Sequence, residues 1–383
     1  MAYELLLPKR TLVGEGAVER ALPLWKKIGR KVLLVTDPGM VKLGNAKRLQ
    51  SLLECEGLEV TLYAEISGEP TDKMIEAGLK CYREAGCEHL IGLGGGSALD
   101  AMKAIGALVT NGGSIRDYNG RKITNAAPHM SAIPTTAGTG SEATQFTVIN
   151  DTLHQVKMLL SGPVLLPELA VIDPRFTLSL PPAITASTGM DAFTHAVEAY
   201  TSRKATALSD TFARSAYRRI VTYLPAAYQD GSNQKAREEM AIAAFEAGIA
   251  FNNSSVTVVH GLSRPIGALF HVPHGISNAM LDEKCFSYVL DGAEERFAEL
   301  ASTAGAAAGE DDTQTAAGKF LNVVRNLCEI CKIPTLSEYG INRDEFYTNI
   351  DKMAQDAWDS GSPQNTRKVL TKEDIIKIYK SLW

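Results

Sequence analysis

Between Lys31 and Ile172 the chain switches repeatedly between two hydrophobic periods, and that alternation leaves few architectures open. Lys31–Thr36 is a short, β-branched apolar run, Lys-Val-Leu-Leu-Val-Thr. A strand that is apolar on both faces belongs inside a parallel sheet. Residues 45–56 then show helical spacing, 59–63 a second strand, and 73–86 a second helix. Residues 89–93, 130–133 and 169–172 add strand runs, with a helix predicted over 98–109. Such alternation predicts a mostly parallel sheet with helices on both faces.

The character changes after Asp173-Pro174. From Pro182 onward the sequence is rich in alanine and carries helix-length amphipathic segments, among them 236–251, 292–308 and 317–333. A chain of 383 residues is too long for one ordinary core. The expected organisation is an α/β domain over 1–178, with a mostly parallel sheet, and an all-α domain over 179–383. Lys plus Arg number 39 and Asp plus Glu 44, a formal charge of -5 that argues against nucleic acid as a partner. No apolar run reaches transmembrane length and residues 1–12 lack a signal-peptide pattern, so a cytoplasmic protein is expected, with no membrane partner. The six cysteines are scattered. Cys328 and Cys331 fall on a helical stretch and read as small packed hydrophobes.

Two segments carry metal-binding chemistry. Asp191 and His195 stand at i and i+4, so on a helix both leave one face. Alone, such a pair is as well explained as a surface pair or a helix cap. His260, His271 and His274 crowd a second stretch, bracketed by glycines and Pro273. One carboxylate and three imidazoles suit a divalent cation, Fe2+ or Zn2+, able to act as a Lewis acid on a carbonyl or alkoxide.

A cofactor signature precedes them. Gly94-Gly95-Gly96-Ser97 follows a strand and opens a helix, where glycines let backbone amides approach a phosphate. It is not a GxGxxG fingerprint, and such a turn also occurs without a ligand. Asp37 closes the first strand run, where a carboxylate can take ribose hydroxyls and repel a 2′-phosphate, favouring NAD over NADP. An Asp that merely starts a turn before Pro38-Gly39 is the plainer reading. Thr135, Thr136, Thr139 and Ser141 add hydroxyls on a glycine-containing loop.

Taken together, Leu93 to Asp100, Ile133 to Glu142, Gly189 to Glu198 and His260 to Asn278 resemble the iron-containing (group III) alcohol dehydrogenases nearly end to end. The resemblance implies a metal held by Asp191, His195, His260 and His274, and an active site in the cleft between an N-terminal α/β dinucleotide-binding domain and a C-terminal all-α metal-binding domain. It implies NAD contacts at Asp37, Gly95, Gly96, Ser97, Asp100, Thr135, Thr136, Thr139 and Lys157. It also implies a homodimer or larger homo-oligomer, joined through N-terminal β structure for which residues 2–7 and 11–14 are candidates.

Three positions depart from the family pattern. Arg264 replaces a histidine found in many relatives four residues after the third ligand. Their Asn-Pro-Thr reads Glu69-Pro70-Thr71, and their Leu-Leu-Pro reads Leu281-Asp282-Glu283. With that histidine gone, His271 is the substitute candidate for proton relay, with packing as its alternative. The expected chemistry is NAD-linked hydride transfer on a short-chain primary alcohol or aldehyde. Arg264 suits a carboxylate or sulfonate tail, as in sulfoacetaldehyde or succinic semialdehyde, unless it pairs with a structural carboxylate or the NAD diphosphate. A glycerol dehydrogenase-like or other polyol enzyme, and a non-catalytic self-associating scaffold, are the alternatives.

Overall fold

Lys31–Thr36 is buried at every position after Lys31, and it is an interior strand of the larger sheet, one place in from an edge. The computed structural model describes residues 2–383. Its strands are β1 (Arg10–Val13), β2 (Lys31–Thr36), β3 (Glu59–Tyr63), β4 (His89–Gly94), β5 (Met130–Pro134), β6 (Phe146–Asp151), β7 (Val156–Ser161) and β8 (Leu169–Ile172). Six of them form an all-parallel sheet in the order β1-β8-β5-β4-β2-β3. Period-two alternation splits β2 between two cores. Leu33 and Val35 pack with Ile75 and Leu79 of the helix Asp72–Glu84 and with Leu99 and Met102 of the helix Gly96–Asn111. Val32 and Leu34 pack with Trp25 of the helix Ala17–Ile28 and with Leu49 and Leu53 of the helix Asn45–Cys55.

The chain passes from β2 to β3 on one side, then returns to lay β4 on the other. The connections therefore diverge between β2 and β4, and an open parallel sheet takes its ligand beyond the carboxyl ends of strands at such a point. Thr36 is in register with Leu93, and Gly94 with Pro134, so the loops leaving β2, β4 and β5 start side by side.

Leu6–Ser179 and Leu180–Trp383 cluster as two compact units. The second is helical. The helix Pro182–Thr201 is buried continuously from Gly189 to Thr201, and Phe193 on it faces an aromatic core. Phe320 lies at the centre of that core, 5.0 Å from Phe297, 5.6 Å from Phe286 and 6.3 Å from both Phe193 and Tyr217, ring centre to ring centre. Close approach of the helix Ala207–Gln229 needs Gly189, where a Cβ would stand 2.3 Å from Leu224 Cδ1. The helix Lys372–Lys380 reaches back through Tyr379, whose hydroxyl donates to the Leu262 carbonyl at 2.7 Å.

Several expectations need correction. β6 and β7 form an antiparallel hairpin that the strand reading omits. Its turn uses Gln155 at φ 55° and carries no Asn-Gly or Asp-Gly signal. Residues 2–7 hold no strand; the N-terminal strand is Arg10–Val13, paired with β8. The phosphate-loop helix starts at Gly96, ahead of the expected residue 98. The helix expected over 292–308 is the shorter Glu294–Thr303, preceded by a 3-10 turn at Leu290–Gly292 and closed before Gly305 at φ 70°. Cys331 is buried and Cys328 Sγ faces the Ala279 carbonyl at 3.8 Å, in keeping with the packing role.

Truncating the centre of the aromatic core tests this picture. Phe320→Ala is expected to cost about 3–5 kcal/mol, read as a lowered urea midpoint followed by circular dichroism.

Candidate metal and cofactor site

The Pro182–Thr201 helix has no polar face left to solvent in its second half, so Asp191 and His195 project into protein. That removes the surface-pair and cap readings. Asp191, His195 and His260 each offer a donor atom, and these atoms all lie within 4.8 Å of one another. His260 sits on the helix Val258–Phe270, with Nε2 3.6 Å from Asp191 Oδ1. His274 opens the helix His274–Val289 immediately after Pro273. Its Nε2 is also 3.6 Å from Asp191 Oδ1, and its side chain is 41% exposed against 2% for His260, which puts it on the open side. Thus three helices bring all four predicted ligands around one point.

Supporting contacts not foreseen in the sequence complete the arrangement. Glu198, three residues after His195 on the same helix, is fully buried and accepts from Thr257 Oγ1 at 2.8 Å, from the Val259 amide at 2.6 Å and from His260 Nδ1 at 2.6 Å. A carboxylate on one imidazole nitrogen fixes the ring and directs the other nitrogen, here Nε2, at the cluster. Phe251 stacks on His195 with ring centres 4.2 Å apart. Asn278 lies one turn after His274 and points its Nδ2 at Asp191 Oδ1 (2.8 Å), His260 Nε2 (3.2 Å) and His274 Nε2 (3.4 Å). Its Oδ1 is buried without a hydrogen-bond partner among the described residues. The i, i+4 spacing from His274 is the signal by which Asn278 could have been found.

Charge shows what the donor set is built to hold. Burial would raise the Asp191 carboxyl, but His195, His274 and His260 hold it well below its usual range. Burial would lower His260, yet Glu198 and Asp191 outweigh it and raise it to about 9. Buried lone pairs converging beside a low-lying carboxylate fit a divalent cation, and O and N donors of this kind suit iron or zinc.

Asp282 is the departure that reaches this region. Both its oxygens lie near Thr194 Oγ1, at 3.0 and 3.1 Å, and that hydroxyl also lies 2.9 Å from the Met190 carbonyl. One hydroxyl proton cannot serve both neighbours. Burial raises Asp282 well above the carboxylate range. Glu283 pairs with Arg325 at the surface at 2.8 Å.

Arg264 follows His260 by one turn, with Nη1 3.1 Å from Ser362 Oγ. His271 ends its helix in the left-handed conformation, φ 55°, and is exposed. Its carbonyl accepts from Tyr339 Oη at 3.4 Å, and no contact of its ring joins it to the cluster among the described residues.

At the switch point of the sheet the cofactor candidates are neighbours. Gly94 adopts φ 155°, and a Cβ there would meet Ala98 Cβ at 2.6 Å and Asp37 Oδ2 at 2.9 Å. A Cβ on Gly96 would lie 2.9 Å from Thr139 Cγ2, and one on Gly95 3.4 Å from Thr136 Cγ2. Asp37 caps the short helix Pro38–Lys42 through Oδ1, which accepts from the Met40 amide at 3.0 Å, so the turn reading holds for one oxygen while the other faces Gly94. This tight glycine surface at a helix N-terminus fits a diphosphate. Asp100 is committed to the scaffold: it accepts from Ser141 Oγ at 2.6 Å and from the Val148 amide at 2.8 Å, fastening the threonine loop and β6. Lys157, on β7, is ion-paired with Glu69.

Residues 8–174 match the model of the iron-containing alcohol dehydrogenase family, and residues 185–383 match that of its C-terminal domain. Alcohol dehydrogenase 4 of Saccharomyces cerevisiae (strain YJM789) is 38% identical, with 98% of this chain and 97% of that protein covered. A crystal structure of 1,3-propanediol oxidoreductase superposes with a TM-score of 0.95 at 34% identity, covering both chains completely. Sulfoacetaldehyde reductase from Bifidobacterium kashiwanohense, in complex with NAD+, gives 0.89 at 26% identity over 100% of this chain and 99% of that one. The chain belongs to the iron-containing alcohol dehydrogenase family. It is therefore an oxidoreductase, and its cofactors are those of the family, NAD and iron.

Glu198→Gln keeps the shape but removes the charge behind His260, and is expected to weaken metal retention about 10–100-fold in a chelator competition. The raised His260 gives a second test. A folded value near 9 against an ordinary 6.5 means its proton adds stability to metal-depleted protein below about pH 6.5, and that gain is lost as pH rises through 9. A metal at Nε2 must displace that proton. Titrating metal-depleted protein should therefore release about one proton at neutral pH, with apparent affinity climbing roughly tenfold per pH unit up to about 9.

Proposed function

We propose that the protein is an NAD(H)-linked, metal-dependent alcohol dehydrogenase and aldehyde reductase. Its proposed substrate is a short-chain primary alcohol or aldehyde with an anionic tail, of the sulfoacetaldehyde or succinic semialdehyde type. The observation that carries the reading is the convergence of Asp191, His195, His260 and His274 on one point. Those four hold the ion, Fe2+ by family, with Zn2+ acceptable to the same donors. Asp37 takes the adenosine ribose hydroxyls, and Gly94, Gly95, Gly96 and Ser97 offer the diphosphate backbone amides. Thr135, Thr136 and Thr139 line the cofactor, Asp100 holds their loop, and Lys157 approaches from the hairpin.

When bound, the metal supplies Lewis acidity toward the substrate oxygen and NAD supplies the redox capacity. The chain supplies geometry. Glu198 locks the His260 ring, and Phe251 holds the His195 ring by stacking. His271, solvent-exposed just ahead of His274, is the proposed exchanger of protons with water.

Arg264 supports the anionic tail. Ser362 is its one hydrogen-bond partner among the described residues, and burial lowers its pKa without removing its charge. Arg264 is only partly buried, and its remaining N–H groups have no acceptor among the described residues. A carboxylate or sulfonate would satisfy it in forked geometry. The relative named sulfoacetaldehyde reductase acts on an aldehyde of this kind. We further read the enzyme as a cytoplasmic homodimer or larger homo-oligomer, which sedimentation would size.

Loss of NADH absorbance over a panel of aldehydes, with and without chelator, tests the reaction. Within that panel Arg264→Ala should raise KM for sulfoacetaldehyde or succinic semialdehyde about 10–100-fold and that for propanal less than about threefold. Equal effects on both would remove the tail from the proposal.

A further inference from the structure

Asn278 follows His274 by four residues on the same helix and is fully buried. Its amide nitrogen stands 2.8 Å from Asp191 Oδ1, 3.2 Å from His260 Nε2 and 3.4 Å from His274 Nε2. Asp191 Oδ1 is in turn 3.6 Å from each of those two imidazole nitrogens. Atoms bound at about 2.0–2.2 Å to one ion, at angles between about 90° and 110°, stand roughly 2.8–3.6 Å apart. All five separations fall in that interval. The amide head therefore sits where a corner of a coordination polyhedron belongs. His195 Nδ1, 3.9 Å from the same carboxylate oxygen, is the farther neighbour.

Hydrogen bonding alone does not account for this placement. The amide NH2 has two protons and faces three neighbours, while the amide oxygen has no hydrogen-bond partner among the described residues. Its positive hydrogen edge is also aimed where a cation belongs. Half a turn about the last side-chain bond exchanges nitrogen and oxygen, which are close in size, and puts a carbonyl oxygen at the corner. Amide oxygens are ordinary donors to divalent ions.

We propose that Asn278 is a fifth ligand, which binds the ion through Oδ1 and favours iron(II) over zinc. The proposal rests on the reading of Asp191, His195, His260 and His274 as ligands. Zinc is satisfied by four donors, and the carboxylate and three imidazoles supply them. Iron(II) takes five or six, so an added oxygen suits it better. Without an ion the nitrogen end turns inward and donates to Asp191, so one side chain steadies the ligands in both states.

Cobalt(II) reports donor number without turnover, because a four-coordinate ion absorbs visible light far more strongly than a five-coordinate one. Cobalt-loaded wild type should show the weak spectrum of five donors, and Asn278→Leu the strong spectrum of four. Asn278→Asp keeps an oxygen at the corner and should keep the weak spectrum. In anaerobic chelator competition Asn278→Leu should raise Kd for Fe2+ about tenfold and that for Zn2+ less than about threefold. Asn278→Ala repeats both comparisons if leucine prevents folding. A strong wild-type spectrum would overturn the assignment of Asn278 and leave the four ligands standing. So would a spectrum and an Fe2+/Zn2+ ratio that stay unmoved when the amide is removed. Wild-type protein that retains none of the three ions would overturn the four-ligand reading as well.

Discussion

A buried carboxylate on a histidine organises the helical unit. Glu198 stands fully desolvated and takes three hydrogen bonds, and the one from His260 Nδ1 matters most. It sets which imidazole nitrogen meets the cluster. It also ties the helix Pro182–Thr201 to the start of Val258–Phe270, so two segments distant in sequence share one anchor. Removing one partner would leave a desolvated charge without its counterpart, which is far more damaging than losing a surface ion pair. The positions of Asp191 and His195 depend on the same helix. The aromatic core around Phe320 holds that helix from behind.

The α/β unit solves a different problem with neutral parts. Its glycines permit approach, as the distances at Gly94 and Gly96 show. Asp37 divides its oxygens between a helix cap and the glycine turn. Asp100 serves as a fastening between the glycine-loop helix, the threonine loop and the hairpin. A ligand surface of this kind is preorganised by backbone and by buried ties, so few side chains need to be free to move.

Much of this is written plainly in the residues. The runs at β2, β4 and β5 are apolar on both faces, and nothing but a parallel interior strand accommodates them. The i, i+4 pair Asp191–His195 and the histidines at 260 and 274 announce their chemistry by type and spacing. The hairpin is harder to read, because its strands are short and partly exposed and its turn rests on Gln155 in a conformation that sequence signals seldom mark. Glu198 reads as one more helical carboxylate until the fold sets it against His260. Asp282 is legible only as a departure, and its tie to the Thr194 hydroxyl emerges only in the fold. Arg264 shows the same limit from the other direction. Its spacing from His260 is visible in the chain, but its dependence on a single hydroxyl emerges only when Ser362 arrives from far downstream.

The hydrogen bond from Tyr379 to the Leu262 carbonyl bears on the order of biosynthesis. That tyrosine belongs to the helix Lys372–Lys380, yet it braces the turn right after His260. During translation the segment around residue 260 emerges well before the brace that steadies it. Ion capture by the nascent polypeptide would thus meet a half-supported helix until the helix Lys372–Lys380 has docked.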